Sequence, residues 1–332
     1  MGTAHVTPER IMQLSTGGWA ASILGTAAEH SVFTHLESGE DTAEKLAKRA
    51  GVSERGAQIL LDGLVGLGLV ERRNGAYSNS PEASAFLVER QEANITGWVK
   101  VALGQSDLWG RLPEAVRSGM PEMAESLDVA ENAFWEELVP ALAPLSAPVA
   151  MAAAETLGLS EAGAISILDV GGGSGIFSAL WLSLNPRARA TQLDWAPVNA
   201  IARRIVAERG VGDRFTCIDG DLHTADFGVA AYDIGVYSHI AHQESPDSNV
   251  AVLAKFRKAL KPGGTLVVSD FIVEDDRSGP PFALLFASCM LLTTEHGSTW
   301  SKAEYQSWLV EAGFEEISFQ PTGTAATLVF AR

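Results

Sequence analysis

The 332 residues carry 24 lysines and arginines against 41 aspartates and glutamates, a formal net charge of −17. That balance argues against a nucleic-acid partner, because phosphate binding needs clustered Lys and Arg. The chain is 46% hydrophobic, enough to bury a sizeable core in one large domain or two, and its two cysteines, Cys217 and Cys289, cannot form a disulfide framework. Two free thiols suit a reducing compartment. The first ten residues lack the basic and apolar regions of a signal peptide, and no uncharged apolar run reaches membrane-spanning length. The expectation is a cytoplasmic protein with no membrane partner.

Apolar residues at helical spacing, among them Ile11, Leu14, Ile23, Val32 and Leu36, predict helix over residues 11–38. An acid-rich start at 41–47 opens another helix. Ser53 is placed to cap a third over 57–65. Residues 69–72 and 76–78 then flank Asn74-Gly75, the strongest short hairpin signal. Helices followed by a hairpin predict a winged helix-turn-helix over residues 1–95. Its would-be recognition helix carries Asp62 and no Lys or Arg between Gln58 and Leu69. Such a helix reads neither phosphates nor base edges, and its apolar stripe suits packing on a partner subunit. Residues 96–158 read as a helical connector, with helices at 134–142 and 149–157 and with Pro140, Pro144 and Pro148 as punctuation.

The second domain, 159–332, opens on Ile165-Ser166-Ile167-Leu168-Asp169-Val170-Gly171-Gly172-Gly173-Ser174-Gly175. An aliphatic strand, a glycine turn and a helix beginning at Ile176 are the start of a nucleotide-binding βαβ unit. The glycines let the backbone turn sharply and approach a ligand with no Cβ in the way. Their spacing is not the G-x-G-x-x-G of dinucleotide binders, and no Lys-Ser/Thr follows as in a Walker loop. A second strand, 190–194, ends in Asp194, about 25 residues beyond Asp169, where an acid can accept ribose hydroxyls. A third strand (214–218) leads into Asp219-Gly220-Asp221-Leu222, and a fourth covers 233–237. A helix over 249–260 stops at Lys261-Pro262-Gly263-Gly264, before a fifth strand over 265–270. Ser301-Lys302-Ala303-Glu304 is a capping box, and 316–319 with 327–331 form an antiparallel pair. The alternation predicts an α/β fold with a doubly wound, mostly parallel sheet. Ligands of such sheets sit beyond the carboxyl ends of the strands, where Asp169, Asp194, Asp221 and His242 fall.

With these motifs in place the sequence resembles class I methyltransferases that use S-adenosylmethionine (SAM). More narrowly it is similar to the two-domain small-molecule O-methyltransferases, in their bacterial branch. The segments that carry the resemblance span essentially the whole chain. They are Leu168–Gly175, Leu193-Asp194, Gly220-Asp221-Leu222, residues 238–247, Ala259-Leu260-Lys261-Pro262-Gly263-Gly264, Pro280-Pro281-Phe282, Thr293-Thr294-Glu295-His296-Gly297 and Glu311-Ala312-Gly313-Phe314. The resemblance implies a seven-stranded Rossmann-like SAM domain behind a winged-helix dimerisation domain, and hence a homodimer. It implies that Gly171, Gly173 and Gly175, with Asp169 and Ser238, border the cofactor. It also implies that Asp194 accepts the ribose hydroxyls, that Asp221 and Leu222 hold the adenine, and that S-adenosylhomocysteine is released.

The resemblance further implies methylation of a small-molecule hydroxyl with His242 as general base. The sulfonium already makes the methyl electrophilic, so the enzyme must align an oxygen behind it and remove the proton, as a His can near neutrality. Here His242 is followed by Gln243 where plant relatives place an Asp. Gly297-Ser298-Thr299 stands where they place a catalytic Glu, for which Glu295 or His296 are the nearby substitutes. Two alternatives remain open. His239, His242 and His296 could hold a metal for C-methylation of a 2-oxo acid, and the chain could be a SAM-binding regulator without catalysis. Aromatic residues for an acceptor pocket are Trp98, Trp109 and Phe134, with Phe282, Phe286, Met290 and Trp300 later in the chain.

Overall fold

Asn74 and Gly75 both take left-handed backbone, at φ 51° and 85°, the conformation of a two-residue type I′ turn. They join β1 (Val70–Arg73) to β2 (Ala76–Asn79) in an antiparallel hairpin. The computed structural model describes residues 6–123 and 132–332; residues 124–131 of the expected connector lie outside them. The chain divides into two compact units, Met1–Ser106 and Asp107–Arg332.

In the first unit the helix expected over 11–38 is three: Glu9–Ser15, Gly17–Glu29 and Val32–Glu37. Each break has a local cause. The Thr16 hydroxyl donates to the Met12 carbonyl, four residues back, and the poor helix formers Gly17 and Gly18 follow. Ser31 is left-handed at φ 50°. Thr42 and Ser53 cap the helices Ala43–Ala50 and Glu54–Gly66 through the N–H groups of Lys45 and Gly56. Phe33, Leu46, Leu61, Leu64 and Tyr77 fill the core. Asp62, the acid that spoke against DNA binding, accepts the Tyr77 hydroxyl at 2.7 Å and the Gln58 amide at 2.8 Å. It therefore fastens the hairpin to its helix. A side chain at Gly25 would stand 2.7 Å from Leu103, so glycine lets Gly17–Glu29 pack closely on Thr96–Gly104.

The second unit is built on β3 (Ser166–Val170), β4 (Arg189–Asp194), β5 (Phe215–Asp219), β6 (Tyr232–Ser238), β7 (Leu260–Asp270), β8 (Ile317–Pro321) and β9 (Thr327–Ala331). Their order in the sheet is β5-β4-β3-β6-β7-β9-β8, parallel except that β9 runs antiparallel to both its neighbours. Both faces are buried, as a parallel sheet requires. Ile167, Val236 and Val267 face Phe177 and Trp181, while Leu168, Tyr237 and Val268 face Phe256 and Trp308. The expected turn at 261–264 is a bulge inside β7. Leu260 is buried and pairs with Tyr232, pairing resumes at Ile234 opposite Thr265, and Gly263 supplies φ 76°.

The largest departure is the helix Phe134–Thr156, which runs through Pro140, Pro144 and Pro148 without ending. Prolines four apart share one face of a helix. That face is half-buried to exposed, where water can satisfy the carbonyls the prolines leave without donors. This helix is also long and apolar enough, by length and composition alone, to cross a membrane, against the expectation that no run was. Here its apolar side is core. Val149, Ala150, Ala153 and Ala154 are buried beside Phe177 and Trp181, and the Trp181 indole donates to the Ala150 carbonyl at 2.7 Å.

Candidate active site

The glycine turn follows β3, with Gly171, Gly173 and Gly175 at φ 65°, 55° and 69°, a backbone region costly to any side chain. Two of these glycines are also demanded by the protein's own packing. A Cβ at Gly171 would meet Ile240 at 2.6 Å, and one at Gly175 would meet Val206 at 3.0 Å, in the helix Ala196–Glu208. Gly173 alone of the three looks onto open space, bordered by Val139 at 3.9 Å. Asp194, at the end of β4, accepts the Gly173 N–H at 2.9 Å and the Trp195 N–H at 2.8 Å. Burial pushes its pKa to about 6 against the pull of these donors. Beneath the turn, Asp169 is buried. Its Oδ2 accepts the Ser178 hydroxyl and its Oδ1 has no partner. Burial, with the nearby charge of Asp194 adding to it, pushes Asp169 to about 7. Gln192, opposite Asp169 in the sheet, likewise leaves Oε1 unpartnered. Beyond β5, Asp221 caps the His223 N–H at 2.7 Å, and Lys255 donates to the carbonyls of Leu222 and His223 at 2.7 and 2.8 Å.

β6 ends at Ser238, whose neighbour in the sheet is Ser269 of β7. His239 then takes φ 56°, and this left-handed residue turns the chain so that the rings of His239 and His242 lie 6.2 Å apart. His242 is 5% exposed. Its ring Nδ1 lies 2.6 Å from Oδ1 of Asp270, the last residue of β7. Asp270 also accepts the Phe271 N–H at 2.8 Å, the His242 backbone N–H at 3.0 Å and the Tyr305 hydroxyl at 2.9 Å. Burial would raise its pKa, but the His242 ring, His239 and the Phe271 N–H outweigh it and hold Asp270 below its ordinary value. An ionised carboxylate only accepts, so the His242 proton sits on Nδ1 and Nε2 is left as the acceptor.

Gly297 brings a distant loop onto this turn. The Ser298 N–H donates to the His242 carbonyl at 2.8 Å, and a Cβ at Gly297 would stand 2.6 Å from that same oxygen. The Trp300 indole holds the Ala241 carbonyl at 3.1 Å. Phe271, Phe282 and Phe286 surround the imidazole. Phe271 stacks on it at 6.0 Å, Phe286 meets it edge-on at 4.9 Å, and Phe271 meets Phe282 at 4.9 Å. Glu295 and His296 do not join them; they form an exposed pair 3.9 Å apart. Thr299 is fully buried. Among the described residues the group placed to hold a metal is His239, His242 and Asp270; His296, in the alternative set, is not part of it.

Residues 128–315 match the O-methyltransferase domain and residues 12–89 the O-methyltransferase dimerisation domain. The chain belongs to the SAM-dependent O-methyltransferases. It is 33% identical to the 3-hydroxy-5-methyl-1-naphthoate 3-O-methyltransferase of Streptomyces sahachiroi, over 93% of this chain and 90% of that one. It is 30% identical to the tetracenomycin polyketide synthesis 8-O-methyl transferase of Streptomyces glaucescens, over 98% and 96%. Its fold is also that of human N-acetylserotonin methyltransferase, solved in complex with SAM, at a TM-score of 0.85 and 24% identity over 100% and 99% of the two chains.

An O-methyltransferase of this family needs a cradle for an ammonium and a ribose diol, all donors, and the residues present fit it. The strand ends offer acceptors: the free oxygen of Asp169, the second lone pairs of Asp194, and the open backbone at Gly173. The sequence missed Asp270. Its signal was partial: an acid ends the expected fifth strand, but only the fold shows that this strand lies beside the one His242 follows.

Proposed function

We propose that this methyltransferase acts on a hydroxyl of a small aromatic acceptor of the polyketide or naphthoate kind, with His242 as general base. SAM, when bound, supplies a methyl made electrophilic by its sulfonium. Nε2 of His242 takes the acceptor's proton as its oxygen attacks. Asp270 stabilises the imidazolium that results and, through Nδ1, fixes the ring's tautomer and direction. Phe271, Phe282 and Phe286 stack against the acceptor ring and exclude water. The His242–Asp270 pair, set among those rings with four donors to the carboxylate, carries this reading. Gly171, Gly173 and Gly175, with Asp169, Asp194, Asp221, Leu222 and Ser238, hold the cofactor.

The first unit pairs two copies of the chain as a homodimer. Ile11, Met12, Leu14, Trp19 and Ile59 are exposed on it and suit such a face. The helices and hairpin are those of a winged-helix dimerisation domain. Labelled SAM offered with a panel of hydroxynaphthoates, phenols and anthraquinones tests the acceptor class, with product regiochemistry by NMR. His242→Ala should lower turnover on the accepted substrate by roughly 10²–10⁴-fold and leave SAM affinity unchanged. Full activity in that variant would remove the base.

A further inference from the structure

We infer that His239, His242 and Asp270 form a latent site for a divalent transition metal, zinc by its donor set, and that filling this site switches the enzyme off. The three side chains each present a ligand atom, and those atoms lie within 4.8 Å of one another. His239 is the unexplained member. Its Nδ1 is buried with no hydrogen-bond partner and stands 3.9 Å from Oδ1 of Asp270, too far for a hydrogen bond. It is held there by a left-handed backbone at φ 56°, a region uncommon outside glycine, though histidine enters it more often than most residues. A buried nitrogen without a donor or acceptor is costly unless something fills the gap.

The gap suits an ion. Zinc binds imidazole nitrogen and carboxylate oxygen at about 2.0–2.2 Å, which sets tetrahedral ligands about 3.3 Å apart. Asp270 Oδ1 is 2.6 Å from His242 Nδ1 and 3.9 Å from His239 Nδ1. Opening one distance and closing the other by well under an ångström brings both to that spacing, and the two imidazoles, their ligand atoms within 4.8 Å, close on the ion from either side. Two imidazoles and one carboxylate are a borderline-soft set that favours zinc, cobalt or iron over magnesium or calcium. Three protein ligands leave the fourth position to water. Phe271, whose ring lies 4.7 Å from that of His239, walls the site with apolar surface.

The switch follows from the proton count, and it rests on the reading of His242 as the base. A metal on Nδ1 takes the lone pair that the tautomer shift exposes, so the single proton of the neutral imidazole, now shared with Asp270, must sit on Nε2 instead. The atom that should accept from the substrate hydroxyl becomes a donor. Inhibition should therefore approach the roughly 10²–10⁴-fold that loss of a general base costs.

The test uses the full chain, stripped with a chelator and titrated with Co²⁺. The wild type should bind one ion per chain with the strong visible absorption of a four-coordinate site. Zn²⁺ should displace the cobalt, and His239→Ala should lose the absorption while His296→Ala keeps it. One equivalent of Zn²⁺ should inhibit methyl transfer to an acceptor from the panel, reversibly by chelator, and His239→Gln should resist that inhibition. Absence of a cobalt spectrum in the wild type overturns the site, as does a spectrum that survives in His239→Ala. A spectrum with unchanged turnover at full occupancy keeps the site, overturns the switch, and removes His242 as base.

Discussion

Asp270 ends β7 and Asp169 is next to last in β3, two strands of one sheet separated only by β6, and both are buried, yet they are prepared in opposite ways. Asp270 receives four donors and is held below its ordinary pKa. Asp169 receives the Ser178 hydroxyl, keeps one oxygen bare, and is pushed up to about 7. On the proposed reading of His242 as base, the acceptor side is complete in the protein alone, and the side proposed for the cofactor is left short of donors, a deficit that a cationic amine would make up. On that reading the folded state carries the cost of orienting the base in advance and leaves the cost of an ionised Asp169 to be met on binding.

Asp270→Asn should break the contrast most severely. An amide cannot satisfy four donors, and it allows the His242 proton to move to Nε2. Turnover should fall by roughly 10²–10⁴-fold, while calorimetry should find SAM affinity little changed. Gly297→Ala attacks the same side more gently. Its Cβ would stand 2.3 Å from the Thr294 hydroxyl and 2.6 Å from the His242 carbonyl, so the turn must shift. A displaced base costs up to roughly 10²-fold in kcat, which steady-state kinetics would show with KM for SAM unaltered.

The pH dependence sharpens the comparison because the two acids have opposite signs. Asp169 has a folded pKa of about 7 against 3.8, so between those limits the folded state holds a proton the unfolded chain releases. Its contribution to stability therefore declines as the pH rises from 3.8 to about 7. Asp270, held below 3.8, contributes stability above that value and loses it as the pH falls through its folded pKa. Urea unfolding from pH 4 to 7 should show a decline on the order of a few kcal/mol from Asp169, and Asp169→Asn should make it shallower, leaving the part from Asp194, which ends near pH 6. An unchanged slope in that variant would place the retained proton elsewhere. SAM affinity should rise over the same range, since a cationic ligand favours the ionised acid. The smallest effect is reserved for His296→Ala. Its partner Glu295 is 61% exposed, so stability should move by less than about 0.5 kcal/mol and turnover should not change.

The sheet was legible because buried strands and glycine turns have local signatures. β3 with its glycines, Asp194 at the end of β4, and the antiparallel β8–β9 pair all follow from short stretches read alone. What escaped was set by partners far along the chain. Pro140, Pro144 and Pro148 read as breaks because their tolerance depends on which face of the helix meets water. Gly171 and Gly175 read as ligand contacts, and no local pattern signalled that Ile240 and Val206, distant along the chain, also demand glycine there. Gln243 removes a carboxylate from the position beside His242 and says nothing of another. The one in contact, Asp270, ends the next strand, and only the strand order β6-β7 reveals it.

The strand order also bears on how the protein is made. β9 follows the other six strands of its sheet in sequence, yet it lies inside the sheet, hydrogen-bonded to β7 on one side and β8 on the other. Thr327 pairs directly with Asp270. Until the ribosome has delivered residues 327–331, β7 presents a bare edge to solvent and β8 has no strand to pair with, the state in which nascent sheets add the wrong neighbour. The strand that carries the orienting carboxylate is therefore closed last. A chain stalled before residue 327 has every residue of the site and no finished sheet to hold it.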